Sequence, residues 1–168
     1  MVDAARLRKT VDKVTTLPAG WTAARAGDAD ATWYQGAWIK AWSERGEEGD
    51  RVSEYDDRGN RLVDENRPVT ITEQGVINVA GLNCRTAACL AGQGILDYAP
   101  AGTVILGNWA TLPAGDKLTL EALANRLFGL STSATRIDGV RSDLYHWSND
   151  ADDLRRISEQ LIREQGGE

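Results

Sequence analysis

Cys84, Cys89 and His146 are the side chains in this sequence best suited to covalent or metal chemistry, and their spacing limits what that chemistry is. A disulfide between the cysteines is disfavoured, because an i, i+5 pair on one continuous helix lies beyond the roughly 7 Å Cα separation that a bridge tolerates. A structural zinc site wants about four ligands, and two cysteines with one distant histidine fall short. Cys84 at a helix N-terminus would have a lowered pKa, and His146 is the only histidine that could act as its base. That pair would make a thiol hydrolase, yet nothing in Asp143-Leu-Tyr-His146-Trp147-Ser marks a third orienting group or an oxyanion donor. The favoured reading is that both thiols are small, reduced core residues, with no metal and no cofactor.

Two other groups are suited to binding. Trp38 and Trp42, with Tyr34, repeat at four-residue spacing and would line one helix face, either as a binding platform or as a clamp into the core. Glu47, Glu48, Asp50 and Asp56 belong to residues 44–73, which hold ten of the 25 acidic groups. The simplest role of such charge is solvation, but it would also draw in a basic protein partner.

The stretch that must position the cysteines is NCRTAACLAGQGIL, Asn83 to Leu96. Its pattern predicts a central buried helix over about 84–98, capped by Asn83 or Thr86. Cys84, Ala88 and Gly92 recur every four residues with Ala87 and Ala91 beside them, a face of small side chains that another element can approach closely. Gly92 and Gly94 each cost about 1 kcal/mol against Ala in a helix interior, so they imply a packing partner.

The run CRTAACLAG from Cys84 to Gly92 resembles the C-G-T-x-x-C-x-A-G motif of small helical proteins from actinobacteria and their bacteriophages, with Arg85 at the usual glycine. Members often carry a Gln-x-x-Trp element before the motif, matched here by Gln35 and Trp38. They commonly have an L-G-L-S element after it, ending near a tryptophan; Gly129-Leu130-Ser131 and Trp147 fit this. About forty extra residues separate the first element from the motif in this chain. The resemblance implies that Cys84, Thr86, Cys89, Ala91 and Gly92 are structural motif residues, and that the chain is phage- or prophage-encoded. The family's function is largely unknown, so it supplies no activity.

Around this centre, Asp3 is a plausible cap for a helix over about 3–16, with Leu7, Val11 and Val14 on one face. A second helix is expected over about 30–43, carrying Trp33, Tyr34, Trp38 and Trp42. Residues 44–81 read as β, with strands inside about 50–80. One hairpin is centred on Asp56-Asp-Arg-Gly-Asn60, and a second joins Val69–Thr72 to Val76–Val79 through Glu73-Gln-Gly75. Thr103 to Leu106 is a short strand and 107–115 a loop. Thr119 caps a helix with Leu120, Leu123, Ala124, Leu127 and Phe128 inward and Gly129 at its end; Ser131 opens a short helix holding Ala134 and Ile137. The last helix runs from Asp150 to Gln165, with Leu154, Ile157, Leu161 and Ile162 inward. The expected fold is one α+β domain over 1–168, mainly helical, with a small antiparallel sheet inserted at 44–81 and a helical core over 84–165.

Charge narrows the function further. The net charge of −6 is spread as +2 over residues 1–43, −5 over 44–73 and −3 over 74–168. Phosphate backbones repel this balance, so nucleic-acid binding is disfavoured, although Thr119 to Ile137 resembles a helix-turn-helix. No run approaches the ~20 apolar residues of a membrane span, and two cysteines without partner geometry fit a reducing bacterial cytoplasm. With no P-loop, dinucleotide fingerprint or zinc signature, the expected function is that of a non-enzymatic protein-interaction domain. A DNA-binding protein and a Cys84/His146 hydrolase are the alternatives.

Overall fold

The computed structural model describes residues 1–26, 28–36, 38–43, 68–75, 77–79 and 82–166; for 40–43, 77–79 and 82–85 it gives the backbone only. The elements run α1 (Ala4–Thr16), α2 (Thr22–Ala26), β1 (Ala31–Trp33), β2 (Ile39–Ser43), β3 (Val69–Ile71), β4 (Ile77–Val79), β5 (Leu82–Ala88) and α3 (Leu90–Tyr98). They continue with β6 (Val104–Leu106), β7 (Trp109–Thr111), β8 (Lys117–Thr119), α4 (Leu120–Phe128), β9 (Ala134–Ile137), β10 (Val140–Asp143) and α5 (Ala151–Glu164).

The helix ends follow from local chemistry. Asp3 accepts from the Arg6 backbone N–H at 3.0 Å and starts α1, whose Leu7, Val11 and Val14 are buried. Thr119 caps α4 by accepting from the Ala122 N–H, and Gly129 in the left-handed region ends it. Asp150 and Asp153 form a reciprocal capping box at α5, where Leu154, Ile157, Leu161 and Ile162 are buried.

Eight described strands form one sheet in the order β1-β5-β4-β3-β6-β7-β8, with β2 also paired to β5. Registers show how β5 takes three neighbours. β2 runs antiparallel along Cys84 to Ala88, β4 pairs only Leu82 to Cys84, and β1 pairs Thr86 to Ala88 in parallel. A strand has two edges, so β2 fills one while β4 and β1 share the other end to end. The inward face of this sheet, with Ile39, Val69, Ile71, Ala88, Ile105 and Ala110, packs into a core with α1, α3, α4 and α5. A smaller cluster on Ala87 and Ala24, flanked by Trp21 and Tyr34, seats α2 on the other face near β5.

The fold is α+β as expected, but the sheet is larger and differently built. The helix over 30–43 is absent: that segment forms β1 and β2 around a turn at Gln35-Gly36. Aromatic side chains fit a pleated, half-buried surface as well as a helix face, so the four-residue spacing of Tyr34, Trp38 and Trp42 carried no helical information. The expected central helix over 84–98 splits at Cys89 into β5 and α3, and Asn83 and Thr86 lie in the strand rather than capping the helix. Residues 134–137 are a strand, not the short helix expected from Ser131. The hairpin expected around Asp56 and the acidic candidates Glu47, Glu48, Asp50 and Asp56 lie outside the described residues. The hairpin at 69–79 is present as β3 and β4.

Gly92 fixes where α3 meets β2. A Cβ there would lie 1.8 Å from the Trp38 carbonyl oxygen and 2.9 Å from the Ala88 methyl. The obstructing atom is backbone, so the helix itself would have to move. Gly92→Ala is therefore expected to destabilise the fold by about 3 kcal/mol, read as a lowered denaturation midpoint; an unchanged midpoint would place the helix elsewhere.

Candidate functional site

The residues around Cys89 form the most heavily cross-linked polar junction described. Gln35, in the turn between β1 and β2, accepts from the Leu90 backbone N–H at 3.2 Å and from the Trp33 indole N–H at 3.1 Å. Its amide nitrogen donates to the carbonyls of Leu144 at 3.4 Å and His146 at 3.3 Å. One side chain thus joins the β1–β2 turn, the start of α3 and the loop after β10. Leu90 sits in the first turn of α3, where the backbone N–H has no intrahelical partner, so Gln35 completes the cap that Cys89 begins.

Cys89 is the N-cap of α3. Its sulfur accepts from the Gly92 N–H at 3.5 Å and lies 3.8 Å from the Trp38 carbonyl, to which the thiol donates. Helix N-termini lower thiol pKa values, but this thiol is only 3% exposed, and burial pushes it up to about 11 despite the nearby backbone N–H groups. It is a protonated, free thiol at neutral pH. Beside it, the Tyr145 ring meets Trp38 edge to face at 6.0 Å, and its hydroxyl donates to Asn125 Oδ1 at 3.0 Å. Burial, then the proximity of Cys89, Glu121 and Asp143, raises Tyr145 well above its ordinary range. The junction holds chain segments together and presents no ionised nucleophile.

The other candidates are dispersed. Cys84 lies mid-strand in β5, opposite Ser43 and Ile77. The helix N-terminus that would have activated it belongs to Cys89, five residues on. His146 is exposed, its Nδ1 2.8 Å from Ser148 Oγ and its ring 5.6 Å from Trp147. Thr86 is buried in β5, Ala91 and Gly92 are buried in α3, and Trp38 is half-buried against the core. Trp42 lies on β2 opposite Arg85. The helix-turn-helix over 119–137 is overturned, because α4 is followed by β9, paired antiparallel with β10, and no recognition helix follows the turn. Among the described residues no three His, Cys, Asp or Glu side chains gather as metal ligands.

Two surface features escaped the sequence reading. Gly107-Asn108 joins β6 to β7, and Asp138-Gly139 joins β9 to β10; both are two-residue hairpin signals. The first hairpin displays Leu106 and Trp109 directly opposite each other, 43% and 46% exposed. Comparison with family models, with curated proteins and with solved structures finds no match to this chain.

Gln35→Leu keeps the side-chain volume but leaves the buried Leu90 N–H and Leu144 carbonyl without this partner. It is expected to cost about 2–4 kcal/mol, measured by denaturation. Cys89 should resist alkylation in the folded protein at about pH 8 and react once unfolded. Trypsin cleaves after Arg85, so mass spectrometry can follow Cys89 separately from Cys84. A thiol modified as fast in the folded as in the unfolded chain would refute the buried assignment.

Proposed function

We propose that this chain is a non-enzymatic interaction protein that binds a protein partner in the bacterial cytoplasm, and that it is phage- or prophage-encoded. The observation that carries the reading is the outward face of β3, β6, β7 and β8. Strand alternation puts Thr70, Val104, Leu106, Trp109, Thr111 and Lys117 on that face, opposite the buried Val69, Ile71, Ile105 and Ala110. No described helix packs on it; α2 lies at the β1–β2–β5 end, and the other long helices share the inward core. An antiparallel sheet with one wet face normally shows water polar side chains, whereas this one shows a Leu–Trp pair. Lys117 Nζ lies 5.0 Å from the Trp109 ring centroid and holds the ring against the sheet. A pre-set tryptophan beside an aliphatic side chain is the kind of anchor that dominates protein interfaces.

Other observations support parts of this reading. The resemblance of CRTAACLAG suggests the phage or prophage origin, and the free buried Cys89 suits a reducing compartment. No described helix is long and apolar enough to cross a membrane. The acid-rich segment 44–73 would speed association with a basic partner and make the rate salt-dependent. The protonated state of Cys89 and the mid-strand place of Cys84 favour binding over thiol catalysis. The strand at 134–137 and the net charge of −6 weigh against DNA.

The test compares proteins captured from an actinobacterial lysate by the unaltered chain and by a Leu106→Ser/Trp109→Ser double variant. Both side chains are exposed, so the variant should melt within a few degrees of the original. A specific protein captured by the first and lost, by about tenfold or more, from the second supports the reading. Identical capture by both would place the interface elsewhere.

A further inference from the structure

Seven described arginines have their charge or ring plane answered locally. Arg6, Arg8, Arg126, Arg155 and Arg156 pair with Asp3, Glu159, Asp116, Asp152 and Asp153. Arg25 stacks over Trp21, and Arg163 donates to Gln160 beside Glu159 and Glu164. Arg136 and Arg141 differ. Both are exposed, neither meets a carboxylate among the described residues, and they are direct cross-strand partners on β9 and β10. The one local bond from Arg136 is donated to the Gly139 carbonyl of its own turn at 3.2 Å.

Like charges directly opposite each other on a ribbon are destabilising, so the pair needs a reason. The ribbon that carries it is well fixed. Asp138 and Gly139 both have positive φ, 51° and 80°, as a two-residue type I′ turn requires. At the far end the Leu144 N–H donates to the Ser133 carbonyl, and on the α5 side Thr135 donates to Glu164 at 2.5 Å. Thr135 is buried on the face toward α5; alternation therefore puts Arg136 and Arg141 on the opposite, outward face. Two planar guanidinium groups with Cβ atoms about 5 Å apart can both donate to one carboxylate.

We propose that the Arg136–Arg141 rung is a receptor for a single carboxylate, an Asp or Glu side chain on a protein partner. The extent of the positive patch selects this occupant. Asp143 shares the outward face two residues from Arg141, and Asp138 stands in the turn at the other end. A run of phosphates would meet one of these acids as soon as it extended beyond the rung, whereas one carboxylate fits between them. The proposal is independent of the sheet-face reading, since either surface can fail its test while the other passes.

The experiment follows the arginine Nε–H signals of the isotope-labelled chain by NMR during titration with a short peptide, blocked at both termini, whose one charged group is a Glu, and with the same peptide bearing Gln. The signals of Arg136 and Arg141 should move together and saturably with the Glu peptide, about tenfold more tightly than with the Gln peptide. Arg126 and Arg155 should stay in place. Arg141→Glu should abolish the response and, by replacing repulsion with a cross-strand ion pair, raise the melting temperature by about 1–3 °C. Titrating the unaltered chain with inorganic phosphate and with a short DNA duplex separates the alternatives. Tighter binding of either, a uniform shift of all arginines, or no difference between the Glu and Gln peptides would overturn the proposal.

Discussion

The Trp38 carbonyl stands where a Cβ on residue 92 would have to be, and the approach of β2 to α3 depends on that vacancy. Trp38 leads directly into Ile39 and the ladder to β5, and β5 runs through Cys89 alone into α3. Strand, cap and helix are therefore one continuous rigid turn, closed by the Cys89 sulfur near the same carbonyl and by Gln35 on the Leu90 N–H. Tight packing explains the residue types: a glycine at 92, an alanine at 91 and a small, weakly polar thiol at 89. The raised pKa of Cys89 is a consequence of that packing.

Much of the outer frame was legible from the sequence. α1 and α4 have the caps expected at Asp3 and Thr119, α5 begins just after Asp150 as expected, and the inward residues are as expected except that Leu127 is only half-buried, because each is an amphipathic surface helix. The hairpin at 69–79 was equally plain, with alternation on both sides of Glu73-Gln-Gly75. The centre was not legible, for a physical reason. β5 is paired on both edges, and Ala87 and Ala88 are buried on its opposite faces, so it shows no polar–apolar alternation. A run of small residues buried all round looks the same whether its period is 2 or 3.6. The candidate sites divided likewise: nothing in the residue types of Gly107-Asn108 or Asp138-Gly139 was ambiguous, but a surface rung such as Arg136–Arg141 needs the register to be seen.

Charge is arranged differently on the two kinds of element. Arg6, Arg155 and Arg156 sit in i, i+3 ion pairs at or near helix N-termini, and such exposed pairs contribute little to stability. They mainly leave the helical flanks electrically quiet. The exposed Leu106–Trp109 pair flanks the two-residue turn of β6 and β7 inside the large sheet, and the Arg136–Arg141 rung lies on the two-stranded ribbon; in both, strand pairing sets the side-chain direction.

The seam between α1 and α5 has a consequence for biogenesis. Arg8 meets Glu159 through two hydrogen bonds, at 2.8 and 3.0 Å, across 151 positions of sequence, and the two helices bury their apolar stripes against each other. Synthesis proceeds from the N-terminus at about 5–20 residues per second, so α1 is made well before α5 and this seam can close only once α5 has followed it. Contacts of such long range slow folding. The stripe of Leu7, Val11 and Val14 can therefore be covered first by α3 and α4, which lie nearer in sequence, while its α5 side is sealed later.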